Sequence, residues 1–171
     1  ALIDRLEKLG LLNDESYAKN KVESFEAKLF SYKHISNALR KDGVNVKTIE
    51  KVMNKDDDRE FKKAYKLAEK YQNNYRSRSL RMQKMMLKRK LYEEGFSSTI
   101  IDSVINELDF SDASFNEIEN LRKDAKKAKD RYAKKLSGTD LRNRVYHYLA
   151  SKGYTSDNIY TILNEMRWKD E

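Results

Sequence analysis

Leu39-Arg-Lys-Asp-Gly43-Val44, Leu91-Tyr-Glu-Glu-Gly95-Phe96 and Leu149-Ala-Ser-Lys-Gly153-Tyr154 share one pattern: Leu-x-x-x-Gly, then an apolar residue. This is the signature of a helix end in which Gly at C′ takes the left-handed conformation and an apolar C″ residue packs on C3. The C3/C″ pairs are Leu39 with Val44, Leu91 with Phe96, and Leu149 with Tyr154. Three of the five glycines sit in this one context, so the stretch marks an internal repeat.

The register holds on both sides of the marker. Ile49, Ile101 and Ile159 follow the glycines at the same offset, then Val52, Val104 and Ile162, then Met53, Ile105 and Leu163. Ile35, Leu87 and Val145 precede them at a common offset. Apolar residues at helical spacing predict helices over about 14–29, 31–42 and 46–54, then 56–76, 78–94 and 97–108, then 110–136, 140–152 and 155–166. Leu29 belongs to the apolar stripe of the first of these. Asp14 suits a helix N-cap or first turn, as do Asn45, the Asp56-Asp57-Asp58 run, Ser97 and Thr155. Leu12-Asn-Asp14-Glu-Ser-Tyr17 aligns with Phe110-Ser-Asp112-Ala-Ser-Phe115, and Asp58-Arg-Glu-Phe61 more loosely. Residues 1–11 read as the end of a preceding helical unit, and Trp168-Lys-Asp170 as the start of another pass. The expected fold is all-α: tandem three-helix repeats over 12–55, 56–109 and 110–171, forming an elongated, curved array. One such unit buries too little surface alone, so neighbours must stack.

Composition agrees. The chain has no Pro, no Cys and only five Gly among 171 residues, a mixture helices tolerate and sheet turns do not. Absence of Cys excludes a disulfide scaffold and thiol chemistry, and is compatible with a cytoplasmic location. No run approaches the ~20 apolar residues of a membrane helix. His34 and His147 are not repeat equivalents and have no HExxH spacing, and no Gly-rich phosphate loop occurs. No catalytic residue, metal site or cofactor is therefore expected.

The net charge of +8 points to an anionic partner. From Arg76 to Lys90 run seven basic residues and no acid, with Arg81, Lys84 and Lys88 on one helix face. Between Arg122 and Lys135 there are eight basic residues against Asp124 and Asp130. The candidate partner-binding residues are Arg76, Arg78, Arg81, Lys84, Lys88 and Arg89, then Arg122, Lys126, Lys127 and Arg131, with Arg142 and Arg144 extending the surface. Such faces neutralise phosphates or meet acidic protein. A solvated helix face accounts for the 122–135 run equally well. Tyr71, Tyr75, Tyr92, Tyr146 and Tyr148 interleave the clusters. Inter-helix packing explains them better than base stacking, and core filling explains Met82, Met85 and Met86.

Leu2-Ile-Asp-Arg-Leu6-Glu-Lys-Leu-Gly10-Leu-Leu-Asn-Asp14-Glu-Ser-Tyr17-Ala18, followed by Ile35-x-x-x-Leu39-x-x-x-Gly43, resembles the RecX regulatory proteins. The likeness is strongest over residues 1–50, and beyond them rests on the repeated units. It implies a monomeric, cofactor-free bacterial protein of the cytoplasm that binds RecA filaments and inhibits their ATP hydrolysis and strand exchange. The implied setting is DNA repair, recombination and the SOS response. Contact with single- or double-stranded DNA fits the same charge, and a helical DNA-binding protein acting without RecA is the alternative. The family's usual Lys before the corner glycine is Asp42 in the first copy and Glu94 in the second; only Lys152 fits.

Overall fold

The computed structural model describes the backbone of residues 2–168 and the side chains of residues 13–168. The described residues form nine α-helices, a short 3-10 turn at Asn73–Tyr75 and no strand. The helices are α1 (Leu2–Ala27), α2 (Tyr32–Lys41), α3 (Val46–Val52), α4 (Asp57–Gln72), α5 (Leu80–Glu93), α6 (Ser98–Glu107), α7 (Ser111–Tyr132), α8 (Gly138–Ser151) and α9 (Ser156–Glu165). A long first helix, a second helix and a third helix recur three times. The further pass expected to start at Trp168-Lys-Asp170 falls, from residue 169 on, outside the described residues.

All three corners are built as their sequence requires. Gly43, Gly95 and Gly153 have φ of +82°, +91° and +89°. Each corner makes the paired Schellman bonds. Val44, Phe96 and Tyr154 donate N–H to the carbonyls of Leu39, Leu91 and Leu149 at 3.1, 3.2 and 3.4 Å. Gly43, Gly95 and Gly153 donate to Arg40, Tyr92 and Ala150. The C3 and C″ side chains are all buried. Each third helix then starts on a side-chain cap, Asn45, Ser97 or Thr155. Asp56 accepts from the amides of Asp58 and Arg59, which makes the aspartate run a helix cap.

Two elements differ from their sequence reading. α1 runs without a break through Leu12-Asn13-Asp14, so Asp14 lies inside a helix and caps nothing. Asn and Asp each cost a helix interior only a few tenths of a kcal/mol, too little to break it. Leu29 is not on a helical stripe. It has φ +64° and occupies the C′ place of α1. Leu29 and Phe30 donate to Glu26 and Phe25, a fourth corner of the same kind without its glycine.

Contacts divide the chain into two compact units. The first comprises residues 1–70 and 88–108, the second 71–87 and 109–171. In the first, Ala18, Ile35, Leu39, Val44, Ile49 and Met53 form a buried cluster between α1, α2 and α3. In the second, Leu121, Ala125 and Ala128 of α7 pack with Leu141, Val145 and Leu149 of α8 and Ile159, Ile162 and Leu163 of α9.

Each unit also contains one joint between consecutive three-helix sets, and the two joints share their serine and glutamate bonds and differ in which carbonyl before the serine is held. In the first unit the Ser31 hydroxyl accepts from the His34 amide, capping α2, and donates to the Glu94 carbonyl at 2.7 Å. Glu60 of α4 accepts from the Tyr32 amide at 3.0 Å, and Lys63 donates to the Phe30 carbonyl at 2.8 Å. In the second unit the Ser79 hydroxyl accepts from Met82 and donates to the Lys152 carbonyl at 2.7 Å. Glu117 of α7 accepts from Leu80, and Asn120 donates to the Arg76 carbonyl. A buried serine thus joins the start of one second helix to the glycine corner of the next.

The joints also set the register of the first helices. Buried Ala64 and Leu121 correspond, with Glu60 against Glu117 and Lys63 against Asn120. On α1 the matching contacts are Lys21 with Asp42, just before Gly43, and Asp124 with Tyr154, just after Gly153. These align Ala18 with Ala64 and Leu121, and Asp14 with Glu60 and Glu117. The sequence alignment of Tyr17 with Phe115 is therefore five residues off; Asn120 holds that place.

Gly95→Ala brings a Cβ to 2.7 Å from Ser31 Oγ at a positive φ, whereas a Cβ at Gly43 meets nothing within 4 Å. Urea unfolding is expected to show a loss of about 2–3 kcal/mol for Gly95→Ala and about 1 kcal/mol for Gly43→Ala. Equal losses would show that the joint adds nothing at Gly95. Leu29→Gly relieves a strained left-handed leucine and is expected to raise the unfolding midpoint, by about 1 kcal/mol of stability.

Candidate nucleoprotein interface

The 76–90 window contains no acid, but folding supplies several from outside it. Lys88 pairs with Asp102 of α6 at 2.7 Å, Arg89 with Glu93 at 2.9 Å, and Lys90 with Glu94 at 2.8 Å, all within the first unit. Lys84 is half-buried, with its ammonium 5.0 Å from the Phe110 ring in the second unit. The expected stripe of Arg81, Lys84 and Lys88 is therefore not a bare cationic face.

Arg76, Arg78 and Arg81 are different. All three are exposed, and no hydrogen bond or ion pair engages their side-chain nitrogens among the described residues. Their backbone is held firmly. Asn120 Nδ2 donates to the Arg76 carbonyl and Gln83 Nε2 to the Arg78 carbonyl, both at 2.9 Å. Counted from the serine before each second helix, Gln83 is fully buried where Ile35 and Leu141 stand in the other sets; counted from the glycine, Ile35 matches Leu87 and Val145, because α2 is one turn shorter than α5 and α8. Both are side chains the sequence reading passed over. The glycine register, which sets Gln83 against Ser31 and Leu141, gave no signal for it.

The remaining candidates divide in the same way. Arg122 is held between Glu119 at 2.5 Å and Glu165 at 3.1 Å, and Glu165 first, then Glu119, raises its pKa. Lys126 and Lys127 are exposed without an acidic partner among the described residues. Arg131 lies over the Tyr148 ring at 6.0 Å and Arg144 over Tyr132 at 4.9 Å. Arg142 donates to Asn164 Oδ1 at 2.6 Å. Their charges persist, but their geometry serves the packing of α7, α8 and α9. Of the candidates in the second unit, those without a hydrogen-bond, ion-pair or ring partner among the described residues are Arg76, Arg78, Arg81, Lys126 and Lys127.

Aromatic packing follows the sequence reading in most places. Tyr148 meets Tyr132 edge-on, and Tyr146 meets Tyr160 at 5.1 Å. Tyr92 is the exception, 71% exposed. Met85 is 56% exposed, so it does not fill a core. The Tyr154 hydroxyl donates to Asp124 at 2.9 Å, and burial, then the Asp124 charge, holds its pKa well above the usual tyrosine range. Asp42, standing where a lysine was expected, accepts from Lys21 and from Tyr17, and these bonds lower its pKa. His34 is exposed and stacked on Phe30. Among the described residues no group of His, Cys, Asp and Glu is placed to hold a metal, and no helix is long and apolar enough to cross a membrane.

This arrangement defines an all-α repeat protein with a cationic surface of fixed backbone. The sequence pattern of the RecX third three-helix domain matches residues 116–163. The chain is 28% identical over 168 residues to the regulatory protein RecX of Lactococcus lactis, covering 96% of this chain and 62% of the relative. It is 30% identical over 170 residues to that of Streptococcus gordonii, covering 96% and 64%. It thus spans a little over six-tenths of the length of these curated relatives. The crystal structure of RecX from Lactobacillus salivarius has the same fold, with a TM-score of 0.62 at 21% identity, over 90% of this chain and 97% of that one. The chain is thus similar in sequence and in fold to the RecX regulatory proteins.

Neutralising Lys88 by Asp102 has a measurable consequence. Asp102→Asn is expected to raise the salt needed to elute the protein from heparin, more than Glu23→Gln, which changes net charge equally but has no basic partner among the described residues. Identical elution of the two variants would mean the ion pair does not mask Lys88.

Proposed function

We propose that this chain is a non-enzymatic regulator of RecA recombinase that binds the RecA–DNA filament and lowers its ATP hydrolysis and strand exchange in DNA repair and recombination. The reading supposes a cytoplasmic protein without a cofactor. The observation that carries it, beyond the likeness to RecX proteins, is the set of unpaired cations at Arg76 and Arg78, on a turn pinned by Asn120 and Gln83, and at Arg81 in the first turn of α5. Arginine forks at fixed spacing suit carboxylates on an acidic protein face and phosphates of exposed DNA. Inhibition on this reading is steric: a bound helical protein blocks subunit motion or filament growth, and no bond is made or broken.

The test uses RecA assembled on single-stranded DNA. The wild-type chain at stoichiometric amounts is expected to reduce ATP hydrolysis and shorten filaments. The triple variant Arg76→Ala/Arg78→Ala/Arg81→Ala is expected to require roughly tenfold more protein, as for loss of a few charge-assisted contacts, with an unchanged melting temperature. Unchanged ATP hydrolysis and filament length with the wild type would sink the proposal. The same cations favour a second reading, direct DNA binding without RecA. Tight, steeply salt-dependent binding to DNA alone would favour it.

A further inference from the structure

An open cleft of about 300 Å³ in the first unit gathers side chains that nothing in the fold engages. One wall is α2, where Lys33, Asn37 and Lys41 recur every four residues along one face, with His34 beside them. The other wall is the end of α5 and the Gly95 corner, which present Tyr92, Glu93 and Glu94. Both walls belong to sets the chain contains, and the Ser31 bond to the Glu94 carbonyl joins them. The cleft is therefore not an unfilled end of the repeat.

Its polar groups are unspent. Among the described residues Lys33, Asn37, Lys41 and the Tyr92 hydroxyl make no side-chain hydrogen bond or ion pair, and the His34 ring only stacks on Phe30, 4.3 Å away. The two acids are already matched, Glu93 with Arg89 and Glu94 with Lys90. Lys33 and Lys41 therefore leave the cleft cationic. The Tyr92 ring is 71% exposed, whereas Tyr148 and Tyr146 of the second unit pair with Tyr132 and Tyr160. The backbone behind these groups is fixed by the joint. The His34 amide donates to Ser31 Oγ, and a Cβ added at Gly95 would come 3.7 Å from Lys33 Cβ.

We infer that this cleft binds a nucleotide, with its base against the Tyr92 ring, its phosphates on Lys33 and Lys41, and the Asn37 amide on the base edge or sugar. An exposed ring beside unpaired ammonium groups complements a molecule that is flat and aromatic at one end and anionic at the other. An acidic peptide would use the lysines and leave Tyr92 bare. The volume suits a ligand of this size. A free nucleotide and one nucleotide of a single strand share this chemistry. The site shares no residue with Arg76, Arg78 and Arg81, and it stands whether or not the chain acts on RecA.

Fluorescence anisotropy of two labelled probes, ATP and octathymidylate, titrated with the full chain tests this. The measurements use the wild type and the Arg76→Ala/Arg78→Ala/Arg81→Ala variant, which silences the arginines of the second unit. Saturable binding is expected in both. Binding of labelled ATP assigns a free nucleotide, and binding of octathymidylate alone assigns a single strand. Tyr92→Ala is expected to weaken binding roughly tenfold, as for loss of one stacked base, while Tyr92→Phe retains it. Lys33→Ala/Lys41→Ala is expected to reduce the slope of log affinity against log salt by about one. All these side chains are exposed, and thermal melts are expected to match the wild type. Three results would each overturn the inference. Neither probe binds; Tyr92→Ala binds as the wild type does; or an abasic deoxyribose-phosphate strand binds as tightly as octathymidylate.

Discussion

The hydroxyl of a serine at the start of a second helix works in two directions. It accepts from the amide three residues on, which starts its own helix, and it donates to the carbonyl just before the glycine of the next corner. Ser31 and Ser79 both do this while fully buried. A buried hydroxyl satisfied on both sides cannot be replaced by an apolar side chain without leaving a carbonyl unpaired. The glycine beside it is constrained twice, by a left-handed φ and by the absence of room for a Cβ. The carboxylate of Glu60 or Glu117 supplies the acceptor for the next free amide of the same helix start. Helix capping and the joining of successive sets are thus one device.

The exposed arginines at Arg76 and Arg78 depend on the same device. The carbonyl of Arg76 is held by Asn120, which stands where Lys63 stands in the first joint, so the turn that presents Arg76 and Arg78 is itself part of a joint. Fixing the backbone lowers the ordering cost of using these long side chains against a partner. Elsewhere the charge is already spent: Lys88, Arg89 and Arg122 sit beside carboxylates, and Arg131 and Arg144 cover tyrosines. Net charge alone overstates the cationic surface left for an anionic partner.

The corners and caps were legible because each is local. Leu91, Gly95 and Phe96 lie within six residues, and the physics of a left-handed turn needs no distant partner. The core residues were legible through helical periodicity. What escaped depended on pairs far apart in sequence. Nothing near Ser31 signals Glu94, 63 residues away, and nothing between Arg76 and Lys90 signals Asp102 as the partner of Lys88. Leu29 escaped for another reason: an apolar residue at helical spacing gives no hint that it stands in a glycine's place. The first-helix register was misaligned because acid and aromatic residues recur often enough there to match at the wrong offset.

The central claim is that Ser31 and Gly95 act as one contact, and a double-mutant cycle reads it directly. Unfolding free energies would be measured for wild type, Ser31→Ala, Gly95→Ala and the double variant. Removing the Ser31 hydroxyl frees the space a Cβ at Gly95 would invade. In the Ser31→Ala background, the cost of Gly95→Ala should therefore fall to that of Gly43→Ala, a coupling of about 1 kcal/mol. Strictly additive costs would contradict the joint and leave the glycine corner as a helix stop and no more.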